Sequence, residues 1–324
     1  MTFKELGLTD SLLAGIDSMG YKTATPVQSQ VIQPILAGKD IIASAQTGTG
    51  KTAAFLLPIV NKIITEPHDE NKINALIIVP TRELAIQIAD KMEGLGYFTN
   101  VSCIAVYGGG DGNSFTAEKT ALTSGCDIVV CTPGRMIAHL NMGYVNLKEV
   151  KYLVLDEADR MLDMGFVRDI NKIISYMPTK RQNLLFSATF SKEIKQLAQT
   201  ILRNPVMVEA EPENSTAEMV SQKAYRVNKK DKTSIVTNLI KDGNWNQVLI
   251  FMRTKHGANK LTKQLLQSGI SAAAIHGNKS QGARTKALSN FKTNDIRVLV
   301  ATDIAARGLD IDNISHVINF DTPD

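Results

Sequence analysis

The chain is poor in cysteine, in aromatic residues and in long apolar runs. Its three cysteines, Cys103, Cys126 and Cys131, contain no Cys-x-x-Cys pair and are odd in number, so neither a disulfide framework nor a zinc site is indicated and buried free thiols are expected. No apolar run approaches the ~18 residues that a membrane-spanning helix needs. The start, Met1-Thr2-Phe3-Lys4-Glu5-Leu6-Gly7, lacks the apolar stretch of a signal peptide, so a cytoplasmic protein with no membrane partner is expected. Hydrophobic residues make up 44% of the chain and charged residues 21%, which makes disorder, collagen and coiled coil poor fits. A length of 324 residues suits two α/β domains, each able to bury its own core.

Excess charge of one sign is also missing from the first part. Residues 1–210 carry 20 Lys and Arg against 21 Asp and Glu, whereas residues 211–324 carry 16 against 11. A basic second part suits a polyanionic partner, because such charge raises the encounter rate with phosphate backbones.

Short apolar runs rich in β-branched residues recur at 76–79, 127–130, 152–155, 183–186, 248–251, 298–300 and 317–320. They predict strands buried on both faces. Amphipathic stretches at 83–92, 166–176, 191–202 and 258–267 alternate with them, the pattern of parallel-sheet α/β domains. Almost every run ends in a compact polar cluster, and open parallel sheets bind ligands beyond the carboxyl ends of their strands. The alternation breaks at 209–218, an acidic, small-residue and proline segment that predicts a linker between a domain at 1–208 and another at 219–324. A second acidic patch, at 66–71, predicts a surface loop.

Ala45-Gln46-Thr47-Gly48-Thr49-Gly50-Lys51-Thr52 follows the short run 40–43 and leads into a helical pattern, the strand, loop and helix that a P-loop requires. Glycines let backbone N–H groups close around phosphate oxygens, Lys51 reaches the terminal phosphates and the Thr52 hydroxyl can ligate Mg²⁺. Ala45 stands where the strict pattern has its first glycine. A P-loop alone leaves kinases, GTPases, transporter ATPases and translocases open. Asp156-Glu157-Ala158-Asp159, after the run 152–155, supplies an acid that can hold Mg²⁺ through water and a glutamate that can orient or deprotonate the attacking water, which points to ATP hydrolysis. The same four residues would also suit the N-terminus of a helix, where carboxylates are favoured.

These residues resemble those of a DEAD-box RNA helicase, named for the motif at 156–159, and the resemblance covers nearly the whole chain. It implies two RecA-like P-loop domains with parallel sheets flanked by helices. Thr25-Pro26-Val27-Gln28, with Phe3 and with Tyr21 after Gly20, is similar to the family's adenine-reading Q motif; Gln28 would bond the adenine edge, or serve only to cap a helix. Pro80-Thr81-Arg82-Glu83, Gly108-Gly109 and Thr132-Pro133-Gly134-Arg135 resemble the RNA-facing segments of the first domain, and their arginines, hydroxyls and backbone N–H groups suit sugar and phosphate rather than bases. Ser187-Ala188-Thr189 resembles the segment that links the carboxylates to the RNA site. In the second domain the resemblance implies that Arg253, Gly277, Gln281, Arg284 and Thr302 face RNA or position the domain, while Gly308 and Asp310 face nucleotide across a cleft between domains. Residues 253–259 and 275–281 look like the bacterial RhlE subgroup.

One departure stands out. The family's arginine-finger segment follows the strand matched here by 317–320, and this sequence ends at Asp324, so a truncated second domain with impaired turnover is expected. Such arginines contribute about 10³–10⁵ in rate where they have been assigned. The implied activity is RNA-stimulated ATP hydrolysis coupled to local remodelling of RNA duplexes and RNA–protein complexes, with ATP and Mg²⁺ as cofactors and RNA read without strong sequence preference. Two other readings stand beside it: a non-hydrolysing ATP-gated RNA clamp, and a DNA-directed relative that would lack dependence on the 2′-hydroxyl.

Overall fold

The computed structural model describes residues 1–45, 48–69, 72–109, 112–209, 221–302 and 314–321. The chain divides into two compact units, Met1–Thr216 and Ala217–Asp324. Each is built on a parallel sheet.

In the first unit the elements run α1 (Asp10–Ser18), α2 (Pro26–Leu36), β1 (Ile41–Ser44), α3 (Lys51–Thr65), β2 (Ala75–Ile78), α4 (Arg82–Gly96), β3 (Cys103–Val106), α5 (Gly112–Ser124), β4 (Ile128–Cys131), α6 (Pro133–Asn141), β5 (Tyr152–Leu155), α7 (Ala158–Asp163), α8 (Val167–Ser175), β6 (Gln182–Ser187), α9 (Lys192–Ile201) and β7 (Val206–Glu209). The seven strands lie in the order β3-β4-β2-β5-β6-β1-β7. Successive residues of a strand point to opposite faces, and here both faces are covered, which is why the strands read as continuous apolar runs. Ile41, Ala43, Ile77, Val154 and Phe186 join the core on one face; Ile42, Leu76, Leu153 and Leu185 join the core on the other. Phe55 from α3 packs on Phe186 with ring centroids 5.2 Å apart.

The floor beneath β1 is fixed by one carboxylate. Asp40, 7% exposed, accepts from the Asn183 backbone N–H at 2.8 Å, from Asn183 Nδ2 at 3.1 Å and from the Arg203 N–H at 2.8 Å. It thereby sets the register of β1 between β6 and β7. Glu209, read from the sequence as the start of the connecting segment, ends β7 opposite Ser44. The rest of that segment, 210–218, lies outside the described residues.

The second unit contains α10 (Lys232–Asp242), β8 (Val248–Met252), α11 (Lys255–Gln267), β9 (Ala272–Ile275), α12 (Gln281–Lys292), β10 (Val298–Thr302) and β11 (His316–Asn319). Its strands lie in the order β11-β8-β10-β9, all parallel. Val248, Ile250, Val298 and Val300 face one core; Leu249, Leu299 and Ala301 face the other with Phe291 from α12.

Candidate functional site

In the first unit the polar clusters predicted at strand ends all fall on the carboxyl edge of one sheet, and the strand order sorts them into two neighbouring groups. The segments after β1, β6 and β5 form one group, and those after β2, β4 and β3 form the other.

The first group holds the P-loop. Gly48 and Gly50 have φ of +83° and +89°, a backbone that L side chains rarely adopt, and α3 begins at Lys51 with Gly50 as its cap. Lys51 is buried, and its Nζ donates to the Ala45 carbonyl at 2.7 Å. Ala45 in turn donates its N–H to the Ser187 carbonyl at 3.1 Å, so the loop is stitched to the end of β6. Ser187 is fully buried and its Oγ accepts from the N–H of the exposed Thr189 at 3.3 Å. Thr52 is half-buried on the first turn of α3, and Gln46 and Thr47 lie outside the described residues.

Asp156 and Glu157 follow β5, next to β6. Asp156 is 2% exposed, and its Oδ1 accepts from the Glu157 N–H at 2.9 Å. Burial pushes its carboxyl above the usual carboxylate range, opposed by the positive charge of Lys51. Glu157 sits at φ +52°, a left-handed conformation, and caps α7, so the acidic run is both a helix start and an edge cluster. Burial first, and the neighbouring Asp156 second, push its carboxyl up to about 7. A carboxylate with that basicity can accept a proton from water near neutral pH far better than an exposed one.

Gln28 reaches the same place from α2. It is 4% exposed, its Nε2 donates to the Gly50 carbonyl at 3.0 Å, and its Oε1 accepts from the Thr25 N–H at 2.9 Å. Phe3 is in the core and Tyr21 is half-buried against it.

The second group presents backbone and cations. Thr81 caps α4, accepting from the Leu84 N–H at 3.3 Å, and Arg82 follows it. Gly109 has φ +86°, and a β-carbon built there would overlap the Arg82 guanidinium, so the Gly108-Gly109 segment lies directly on that arginine. Thr132 and Pro133 begin α6, which carries Arg135. In the second unit Arg253 follows β8, Gly277 follows β9 and Thr302 ends β10, three adjacent strands with a common carboxyl edge. Arg253 and Gly277 are exposed, Thr302 and Arg284 are buried, and α12 starts at Gln281. Gly308 and Asp310 lie outside the described residues.

Residues 25–197 match the family model described as DEAD/DEAH box helicase, and residues 231–324 match the model described as helicase conserved C-terminal domain. The chain belongs to the DEAD/DEAH box helicase family. It is 46% identical over 323 residues to the ATP-dependent RNA helicase CshA of Limosilactobacillus reuteri, covering 100% of this chain and 64% of that protein. It is 42% identical to the ATP-dependent RNA helicase RhlB of Pseudomonas aeruginosa, covering 99% of this chain and 82% of the relative. It thus spans about three fifths of the length of the CshA relatives, 60% of that from Bacillus anthracis. Among solved structures, Saccharomyces cerevisiae Dbp5 bound to RNA and ADP BeF3 superposes with a TM-score of 0.84 at 29% identity, over 99% of this chain and 81% of that one. The two parallel sheets are the RecA-like domains expected from the family resemblance.

Two residues of this helicase-family edge carry no motif in the sequence. Glu118, in α5, is 3% exposed and accepts from Arg135 Nε at 2.6 Å, from His139 Nε2 at 2.8 Å and from the Tyr107 N–H at 3.1 Å. His139, fully buried, also hydrogen-bonds the Tyr144 hydroxyl. Of their partners only Arg135 belongs to a segment recognisable in the sequence, and separations of 11, 17 and 21 residues give no periodic signal.

Proposed function

We propose that this chain is the motor core of an ATP-dependent RNA helicase, hydrolysing ATP in response to RNA and coupling that cycle to local opening of RNA duplexes or RNA–protein complexes. The observation that supports this most is the division of one sheet edge into a phosphate-and-carboxylate group on β1, β6 and β5 and a cation-and-backbone group on β2, β4 and β3. The relatives are named as ATP-dependent RNA helicases, and the Dbp5 structure is described as bound to RNA and ADP BeF3.

The residues fit a nucleoside triphosphate. Lys51 brings a buried ammonium whose hydrogen bond goes to a neutral carbonyl, leaving donors for phosphate oxygens, and the glycines at 48 and 50 leave backbone N–H groups unshielded by side chains. Gln28 reads the adenine edge, with Phe3 and Tyr21 framing it. Thr52 and Asp156 would hold Mg²⁺, largely through water and the phosphates, since among the described residues no group of three His, Cys, Asp or Glu side chains could hold a metal alone. Bound Mg²⁺ supplies neutralisation of charge developing on the phosphate oxygens. Glu157 orients the attacking water and takes its proton, while Ser187 and Thr189 relay the state of this corner to the RNA-facing segments. Gln46, Thr47, Gly308 and Asp310 complete the nucleotide set by family resemblance alone.

Thr81, Arg82, Gly108, Gly109, Thr132, Pro133 and Arg135 of the first unit, with Arg253, Gly277, Gln281, Arg284 and Thr302 of the second, hold the sugar–phosphate backbone. Such contacts position the strand and carry no base code. The RhlE-like assignment, carried by 253–259 and 275–281, and a cytoplasmic site of action are part of the same proposal. No helix among the described residues is long and apolar enough to cross a membrane.

The test is steady-state ATP hydrolysis by the chain with single-stranded RNA, with DNA of the same sequence and with neither. RNA-specific stimulation that disappears in Lys51→Ala supports the reading. Equal stimulation by DNA favours a DNA-directed enzyme, and nucleotide-dependent RNA binding without turnover favours a clamp.

A further inference from the structure

The RNA-facing edge of the first unit contains a buried ionic node with no assigned role. We propose that Glu118 is the positioning residue of this edge, acting through Arg135. The inference rests on the reading that Arg135 contacts an RNA phosphate.

Both oxygens of the Glu118 carboxylate are used: Oε1 accepts from the Tyr107 N–H, and Oε2 accepts from Arg135 Nε and His139 Nε2. Arg135 is thereby held side-on by its Nε, and its guanidinium lies over the Phe115 ring, 4.7 Å from the centroid. Phe115 is stacked in turn on His139, with centroids 4.9 Å apart and planes 13° from parallel. The guanidinium is clamped at one edge and on one face, and its terminal nitrogens make no hydrogen bond among the described residues. That is the fork a phosphate accepts in bidentate fashion.

Folding alone gives little reason for such a node. Taking a carboxylate and a guanidinium out of water costs about as much as their attraction returns, and apolar residues of similar volume serve a core equally well. What the node does accomplish is orientation. A guanidinium already fixed loses less side-chain entropy when it meets its anion. The Tyr107 bond extends the same control to the backbone entering Gly108-Gly109, which rests on Arg82. One carboxylate on α5 therefore ties together the segments after β3 and β4.

The test is RNA affinity of the full chain, read by anisotropy of a labelled single-stranded oligouridine with Mg²⁺ and a non-hydrolysable ATP analogue, for wild type, Glu118→Gln, Arg135→Ala and the double variant. The Glu118→Gln variant keeps an oxygen for the Tyr107 N–H while presenting an amide group to Arg135 and His139, so the bonds that Oε2 accepts from the guanidinium and from the imidazole are both lost. Each single variant is expected to bind about tenfold more weakly, and the double variant no more weakly than Arg135→Ala within about twofold. Losses that add in the double variant, or an unchanged Glu118→Gln beside a weakened Arg135→Ala, overturn the positioning role and leave the RNA reading standing. An Arg135→Ala variant that binds RNA as wild type overturns both. Should Glu118→Gln not fold, Arg135→Lys decides: it keeps the charge without the side-on Nε bond, so it is expected to bind as weakly as Arg135→Ala, and recovery of wild-type affinity overturns the proposal.

Discussion

The Gln28 side chain donates its Nε2 hydrogen to the carbonyl of Gly50, 3.0 Å away, joining the first turn of α2 to the cap of α3. Its other end accepts from the Thr25 N–H in a reciprocal cap with the Thr25 hydroxyl. Under the function proposed above, capping and nucleotide recognition would meet in one residue, and the Nε2 bond is the one that a purine would replace without undoing the cap.

Gln28→Glu separates the two roles. It retains an oxygen for the Thr25 N–H and removes the donor toward Gly50. The melting temperature is expected to stay within a few degrees of wild type, while kcat/KM for ATP falls about tenfold, the worth of one buried hydrogen bond. Steady-state ATP hydrolysis checks it.

Gly50→Ala attacks the loop itself. A β-carbon there would stand 2.5 Å from Gln28 Nε2, on a residue with φ +89°. Strain of about 1–2 kcal/mol and a displaced Gln28 are expected together, and ATP affinity measured by calorimetry should drop at least about tenfold. Lys51→Ala should lower turnover about 10²–10³-fold, the effect of removing one preorganised charge from the transferring phosphate.

Gly109→Ala tests the group proposed to face RNA. Its β-carbon would collide with the Arg82 guanidinium and occupy a left-handed backbone, so Arg82 must move. The concentration of RNA giving half-maximal ATPase stimulation is expected to rise several-fold, and a response identical to wild type would remove Arg82 from the contact set.

The second unit should lose stability in mild acid. His276 is 2% exposed, its Nε2 is hydrogen-bonded to Asn259 Oδ1 at 3.0 Å, and burial, together with Lys279, Lys255, Arg284 and His256, holds its pKa below the usual 6.5. As pH falls through 6.5 the unfolded chain takes up a proton that the folded one refuses, so the stability present above that pH is progressively lost below it. Urea midpoints between pH 7.5 and 5.5 should fall for the wild type and fall less for His276→Gln.

The sequence made the buried strands plain because both of their faces are covered: 152–155 and 248–251 are apolar at every position and became β5 and β8. It did not reveal β3, β7 or β9. Cys103–Val106 and Val206–Glu209 lie at the sheet's two margins and are only partly buried, and Ala272–Ile275 is mostly alanine, so none shows a strand-like run. The strand-end placement of 45–52 and 156–159 was legible because each is a contiguous polar segment that follows an apolar run. Glu118 and His139 were not, because their partners come together only when β3, β4 and α5 pack, and Gln28 showed its cap but not its hold on Gly50.

The most direct measurement is the reciprocal coupling of the two groups on the sheet edge. The affinity of the full chain for a labelled single-stranded RNA is measured with and without a saturating non-hydrolysable ATP analogue and Mg²⁺, and the affinity for the analogue with and without saturating RNA. If one motor binds both, each ligand tightens the other by the same factor, about fivefold or more. Two affinities that ignore each other would contradict it.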